Sequence, residues 1–134
     1  MNDTELEQLL LDVESDRAER KASLSEKEKI RKTICAFAND MPNHQKSGVI
    51  FIGVKDDGGC AGLDITDDLL LNLSSMKSDG KIVPSPAMIV EKRVIHGCAM
   101  AVVIVEPSYY PPVRCDGRVW IRVGSQPCHR HRGG

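Results

Sequence analysis

Apolar positions recur along the chain with two different periods, and the changes of period mark its elements. Leu6, Leu9, Leu10 and Val13 fall at helical spacing. They predict an amphipathic first helix over residues 2–13, with Asn2 or Asp3 as cap and Thr4 and Glu7 spaced as a capping box. The run Glu14-Ser15-Asp16-Arg17-Ala18-Glu19-Arg20-Lys21 loses that period, and a short strand is expected over 17–22. Ser25 followed by Glu28 is a second capping-box pair, and Ile30, Ile34, Phe37 and Met41 then recur every three or four residues. A second helix is predicted over 26–39, its stripe in the core.

Residues 49–54, Val-Ile-Phe-Ile-Gly-Val, are continuously apolar with a β-branched bias, the pattern of a strand covered on both faces. Lys55-Asp56-Asp57-Gly58-Gly59 stops it, since glycine permits positive φ and Asp accepts backbone hydrogen bonds in a turn. Thr66 caps a third helix with Asp67 and Asp68 in its first turn, and Leu69, Leu70, Leu73 and Met76 form its inner face. His96-Gly97 separates two β-rich runs, 88–95 and 98–105, which should pair antiparallel. In 118–123, alternation puts Val119, Ile121 and Val123 inward and Arg118, Trp120 and Arg122 outward. The expected fold is one small α+β domain with a mixed, mainly antiparallel sheet, helices packed on it, and the order α-β-α-β-α-β-β-β. It should span residues 1–125, and 126–134, which have no periodicity, should be a flexible tail.

At 134 residues with 41% hydrophobic and 28% charged side chains, the composition is that of an ordinary globular domain. The net charge is −1 and the pI is near 6.4, so the whole-molecule field gives nucleic acid no strong attraction and any such contact must be local. The start is acidic and no apolar run approaches the ~18 residues that span a bilayer, so no membrane association and a cytoplasmic location are expected. Cys35, Cys60, Cys98, Cys115 and Cys128 are odd in number and contain no C-x-x-C pair. They read as free thiols, mostly buried.

Two constellations can carry chemistry. Glu14, Glu19 and Asp56-Asp57 are carboxylates of the type that holds Mg²⁺, which takes oxygen ligands. Read by spacing alone, they are solvated acids and a turn-forming pair. Arg118, Trp120 and Arg122, with Arg114 nearby, set guanidiniums around an aromatic plate that can hold phosphates and stack a base. The structural alternative is a strand covered by another element, with the Arg stems packed on the ring. Gly53, Gly58, Gly59 and Gly62 match no phosphate-loop spacing. Cys128-His129-Arg130-His131 has metal-binding residue types without a fourth partner at suitable spacing. No nucleophile elbow is present, which disfavours acyl transfer.

Glu14-Ser15 with Glu19-x-Lys21, Cys35-Ala36-Phe37-Ala38-Asn39, Ile50-Phe51-Ile52-Gly53-Val54-Lys55-Asp56-Asp57-Gly58 with Gly62-Leu63, and Ile121-Arg122-Val123-Gly124-Ser125 together resemble the Schlafen AlbA-like domain over residues 14–125. In bacteria that family is labelled a DNA-binding or transcriptional-regulator domain and was once described as a divergent AAA ATP-binding domain. Its eukaryotic relatives include metal-dependent endoribonucleases that cut transfer RNA with three acids, which by position fall on Glu14, Glu19 and Asp56. The chain departs from the pattern in its long 41–48 loop, where the family has a tight Gly-Gly, and in Arg20, where an aromatic is usual. The helicase-like or winged-helix domains that often follow are not in this sequence, and a standalone or truncated module is expected.

A nucleic-acid-binding module for DNA or RNA, of the transcriptional-regulator type the family label suggests, is expected, using Arg20, Lys21, Lys55, Arg114, Arg118, Trp120 and Arg122. The alternative is a nuclease with Mg²⁺ or Mn²⁺ on Glu14, Glu19 and Asp56, for which a homodimer is a natural way to complete the cleft. A second alternative is a nucleotide-sensing or protein-interaction module without catalysis.

Overall fold

The computed structural model describes residues 1–12, 15–40, 43–123 and 126–129, with Val123 and 126–129 described by backbone alone. Its elements are α1 (Asp3–Leu11), β1 (Ala18–Lys21), α2 (Lys27–Asn39), β2 (Gly48–Ile52), α3 (Asp67–Ser75), β3 (Ile82–Val83), β4 (Met88–Ile95), β5 (Cys98–Val105), β6 (Arg114–Cys115), β7 (Arg118–Val123) and β8 (Gln126–His129). The fold is α+β, as the pattern predicts.

Local signals set most of these boundaries. Asn2 caps α1 by accepting from the Glu5 amide at 2.9 Å, and Thr66 caps α3 by accepting from the Leu69 amide at 3.1 Å. The expected Ser25–Glu28 box does not form. Glu26 occupies the cap of α2 without a side-chain bond, because the Ser25 hydroxyl is engaged with Ser23 at 2.9 Å. His96 and Gly97 have φ of 52° and 73°, and the β4–β5 hairpin they turn pairs Met88 with Val105 through to Ile95 with Cys98.

The larger sheet has the order β1-β2-β5-β4 and the smaller β3-β6-β7-β8. Only β1 and β2 pair parallel among these strands. In β2 the side-chain period of two sends Ile50 and Ile52 to one face and Val49 and Phe51 to the other. Both faces are covered, as the continuous apolar run requires. On one side α1 contributes Leu6 and Leu10. On the other, Ile30, Ile34 and Phe37 of α2 and Leu69 and Leu73 of α3 meet Ala101, Val103 and Val105 of β5. α2 also contacts β6, β7 and β8, so it lies between the two sheets.

The sequence pattern leaves out three strands. β3 and β6 are two residues each, too short to show a period. β8 falls where a tail is expected after residue 125, yet its residues pair with β7 from Trp120–His129 to Val123–Gln126. Pro127 fits there because β8 is an edge strand, where a missing N–H costs no internal ladder bond.

Candidate nucleic-acid interface

Arg122 is the most buried of the sequence-predicted cations. It is 4% exposed. Its Nη1 lies 2.9 Å from Glu19 Oε1, its Nη2 donates to the Ala18 carbonyl at 3.2 Å, and its Nε to the Asp16 carbonyl at 3.4 Å. The guanidinium carbon is 5.0 Å from the centroid of the Phe37 ring. The outward placement of Arg122 is therefore corrected. The strand alternates as expected, but α2 and the larger sheet cover the side that the polar residues face. Val119, expected inward, is also buried.

Trp120 is half-buried against the core between the sheets, and the Lys32 ammonium of α2 sits 4.5 Å from its ring centroid. Asn39 anchors this region from the last residue of α2. Its amide nitrogen donates to the carbonyls of Val113 at 2.9 Å and Trp120 at 2.7 Å, and its oxygen accepts from the Val113 amide at 2.6 Å. Arg114 and Arg118 are exposed. The register sets Arg114 opposite Val119 and Arg118 opposite Cys115, so Arg118 shares the strand face of Trp120 and Arg114 lies on the other.

The remaining basic residues do not form one group. Arg20 donates through Nη2 to the Leu10 carbonyl of α1, on the side of the sheet away from Glu19. Lys21 Nζ lies 3.6 Å from Glu19 Oε2. Lys55 is exposed at the base of the acidic turn, which closes by Gly58 N–H to the Lys55 carbonyl at 2.9 Å and Lys55 N–H to the Gly59 carbonyl at 2.8 Å. Asp57 builds that turn by accepting from the Gly59 amide at 2.8 Å, and Asp56 is left exposed.

The turn is also tied to the sheet covalently, because Cys60 and Cys98 form a disulfide. The expectation of free cysteines fails at this pair, which is 38 residues apart in sequence and brought together by the fold. Cys35 and Cys115 are free and buried. Burial pushes the Cys35 thiol up to about 11, and burial with the neighbouring Asp116 charge pushes Cys115 up to about 12.

Of the three acids considered for a metal, Glu14 lies outside the described residues. Glu19 has one oxygen on Arg122 and the other facing Lys21, so its charge is already balanced by two cations. Among the described residues no three His, Cys, Asp or Glu side chains gather as a metal cluster.

The described part of the departing loop, residues 43–48, has its own order. Asp40, at φ 44°, accepts from the His44 and Gln45 amides at 3.0 and 2.8 Å, and His44 Nε2 lies 2.9 Å from both oxygens of Asp16. They border a shallow depression with Arg122 and Phe37 among its lining residues. Gly48 ends the loop where a Cβ would fall 2.2 Å from Cγ of Phe37.

A family model described as Schlafen, AlbA_2 matches residues 14–129. The chain belongs to the Schlafen AlbA_2 family. No curated protein matches it at a significant level. Solved structures similar to this AlbA_2 domain include the DIP2311 protein from Corynebacterium diphtheriae, with TM-score 0.62 and 15% identity over 95% of this chain and 29% of that one. Another is the N-terminal domain of a Nitrosomonas europaea protein named as related to the ATP-dependent DNA helicase RecG, with TM-score 0.58 and 22% identity over 95% of each chain. The AlbA_2 domain thus spans under a third of DIP2311. At these identities the likeness is one of fold.

Within the AlbA_2 domain, part of the motif that carries the family resemblance has a structural account. The Phe37 ring lies under Arg122 and against Gly48, and Asn39 fastens α2 to β7. The apolar periodicity carries no signal for Lys32, and Asn39 enters only as part of the family motif, with no role attached to it. Asn39 sits at a helix end where its side chain looks like an ordinary cap, and Lys32 meets Trp120 only through the fold.

No helix among the described residues is long and apolar enough to cross a membrane.

Proposed function

We propose that this AlbA_2 domain is a nucleic-acid-binding module of the DNA-binding, regulatory kind, which contacts phosphates through Lys32, Arg114 and Arg118 around the β6–β7 hairpin. The observation that carries this reading is the half-buried Trp120 ring with the Lys32 ammonium at 4.5 Å and exposed Arg118 two residues away on the same strand face. An indole and two cations are what a phosphate-and-base surface needs. The interface is local, which suits a net charge of −1. The name of the Nitrosomonas neighbour, related to a DNA helicase, supports the same class. In this reading Arg122 and Lys21 serve by holding Glu19 and not by touching the ligand.

The test is fluorescence anisotropy with labelled single-stranded DNA, duplex DNA and RNA across a salt series. If the three cations each neutralise one phosphate, log affinity falls against log salt with a slope of about −2.7 on duplex DNA and about −2 on single strands, and Arg118→Ala reduces the slope by about 1. Absence of binding to all three probes at low salt overturns the reading.

A further inference from the structure

The β5–β6 loop displays Tyr109 at 94% and Tyr110 at 84% exposure. A ring left in water forgoes the burial an aromatic side chain ordinarily gains on folding, so two adjacent ones held out together call for a use. They are held by a stiff support. The Ser108 amide donates to the Ala38 carbonyl at 2.7 Å, the Tyr110 amide to Ser108 Oγ at 3.1 Å, and the Val113 amide to Asn39 Oδ1 at 2.6 Å. Pro107, Pro111 and Pro112 fix φ at three further positions. Little backbone freedom is left for a ligand to freeze. Asn39 binds both Val113 and Trp120, so the loop and the Lys32–Trp120 plate are mounted on one side chain. Exposed Arg114 follows the loop after the buried Val113.

We propose that Tyr109 and Tyr110 form a stacking platform for unpaired bases, with Arg114 on the adjacent phosphate, so that the ligand class is single-stranded nucleic acid. This rests on the nucleic-acid reading above and narrows it. An aromatic anchor for a protein partner works within a rim of contacts that excludes water. Here the residues flanking the rings, Glu106, Pro111, Pro112 and Arg114, are exposed, and the cation Arg114 lies four residues from Tyr110. A base needs only one ring face and a nearby cation. Duplex bases already have both faces stacked, which is why unpaired ones are selected.

The experiment measures anisotropy of a labelled single strand and of its duplex at one salt concentration. The proteins compared are the wild type, the double variant Tyr109→Ala/Tyr110→Ala, the double variant Tyr109→Phe/Tyr110→Phe, and Arg118→Ala. The alanine pair is expected to melt like the wild type, to bind the single strand at least about tenfold more weakly, at ~1–3 kcal/mol per stacked base, and to bind the duplex almost unchanged. The phenylalanine pair, which keeps both rings, is expected to bind like the wild type. If the alanine pair binds the single strand normally while Arg118→Ala weakens it, the platform is wrong and the nucleic-acid reading stands. An equal loss on single strand and duplex, or a loss in the phenylalanine pair as large as in the alanine pair, also overturns it. If the wild type binds neither probe, the platform falls, and if it also fails to bind RNA at low salt, both readings fall.

Discussion

The guanidinium of Arg122 meets the carboxylate of Glu19 at 2.9 Å, and this contact joins β7 of the smaller sheet to β1 of the larger. Arg122 spends its other nitrogens on two carbonyls of the Asp16–Ala18 stretch. Removing one member of such a pair leaves the other charge in a low-dielectric interior. Arg122→Ala is therefore expected to cost about 3–5 kcal/mol in urea unfolding. Replacing both charges, in Arg122→Met/Glu19→Leu, is expected to recover most of that loss. A double variant as unstable as the single one would show that the pairing is not the source of the cost.

Asn39 satisfies three backbone groups with one amide. Asn39→Ala leaves the Val113 amide and the carbonyls of Val113 and Trp120 without that partner, and an expected loss of about 2–3 kcal/mol follows. Asn39→Asp is expected to be at least as destabilising at neutral pH, since it swaps the donating nitrogen for an oxygen facing two carbonyls. Thermal melts of the two variants check the order.

Gly48 is constrained by space, since its added Cβ would come within 2.2 to 2.6 Å of three atoms of the Phe37 ring. Gly48→Ala is expected to cost about 1–3 kcal/mol by forcing the ring or the strand aside. Combining it with Phe37→Leu should be less damaging than the sum of the two single changes. A double-mutant cycle measures the coupling.

The Cys60–Cys98 bond closes a loop of 38 residues of separation, for which the chain-entropy account gives a stabilisation of about 4 kcal/mol. Reduction, or Cys60→Ser, is expected to lower the melting temperature. It should also speed hydrogen exchange in the 55–61 turn, which would then be held by its hydrogen bonds alone. Equal exchange with and without reductant would contradict this.

The two free thiols set a limit at alkaline pH. Cys35 and Cys115 rise from the ordinary 9.0 to about 11 and about 12, chiefly because burial penalises the thiolate. The folded state then holds these protons more tightly than the unfolded chain. Their contribution to stability is complete below about pH 9 and is lost as pH climbs through the raised values. Cys35→Ala/Cys115→Ala should flatten the fall in melting temperature above pH 9, and native protein at pH 8 should be slow to react with iodoacetamide at both positions.

Where a signal is local, the sequence carried it. Thr66 and His96-Gly97 mark their cap and hairpin because one or two residues determine the geometry. Asp116-Gly117 is the same kind of signal, with φ of 51° and 79°, but β6 is too short to announce a strand beside it. Arg122 was misplaced for a different reason. Alternation tells which residues share a face and says nothing of what covers that face, and only the position of α2 decides it. The Cys60–Cys98 bond was illegible for the same cause, since spacing in sequence does not report proximity across a fold. Of the candidate interface, Arg118 and Trp120 were legible as a pair on one strand face, whereas Lys32 joins them from a helix 88 residues earlier in the chain.

With a sheet on either side, α2 is held from Ile30 onward, beyond an exposed first turn. Seven of the thirteen residues of α2 are buried, and its contacts reach strands of both sheets. Its amides should be among the last to exchange with solvent, at rates that track global opening, so the two sheets should unfold as a single cooperative unit.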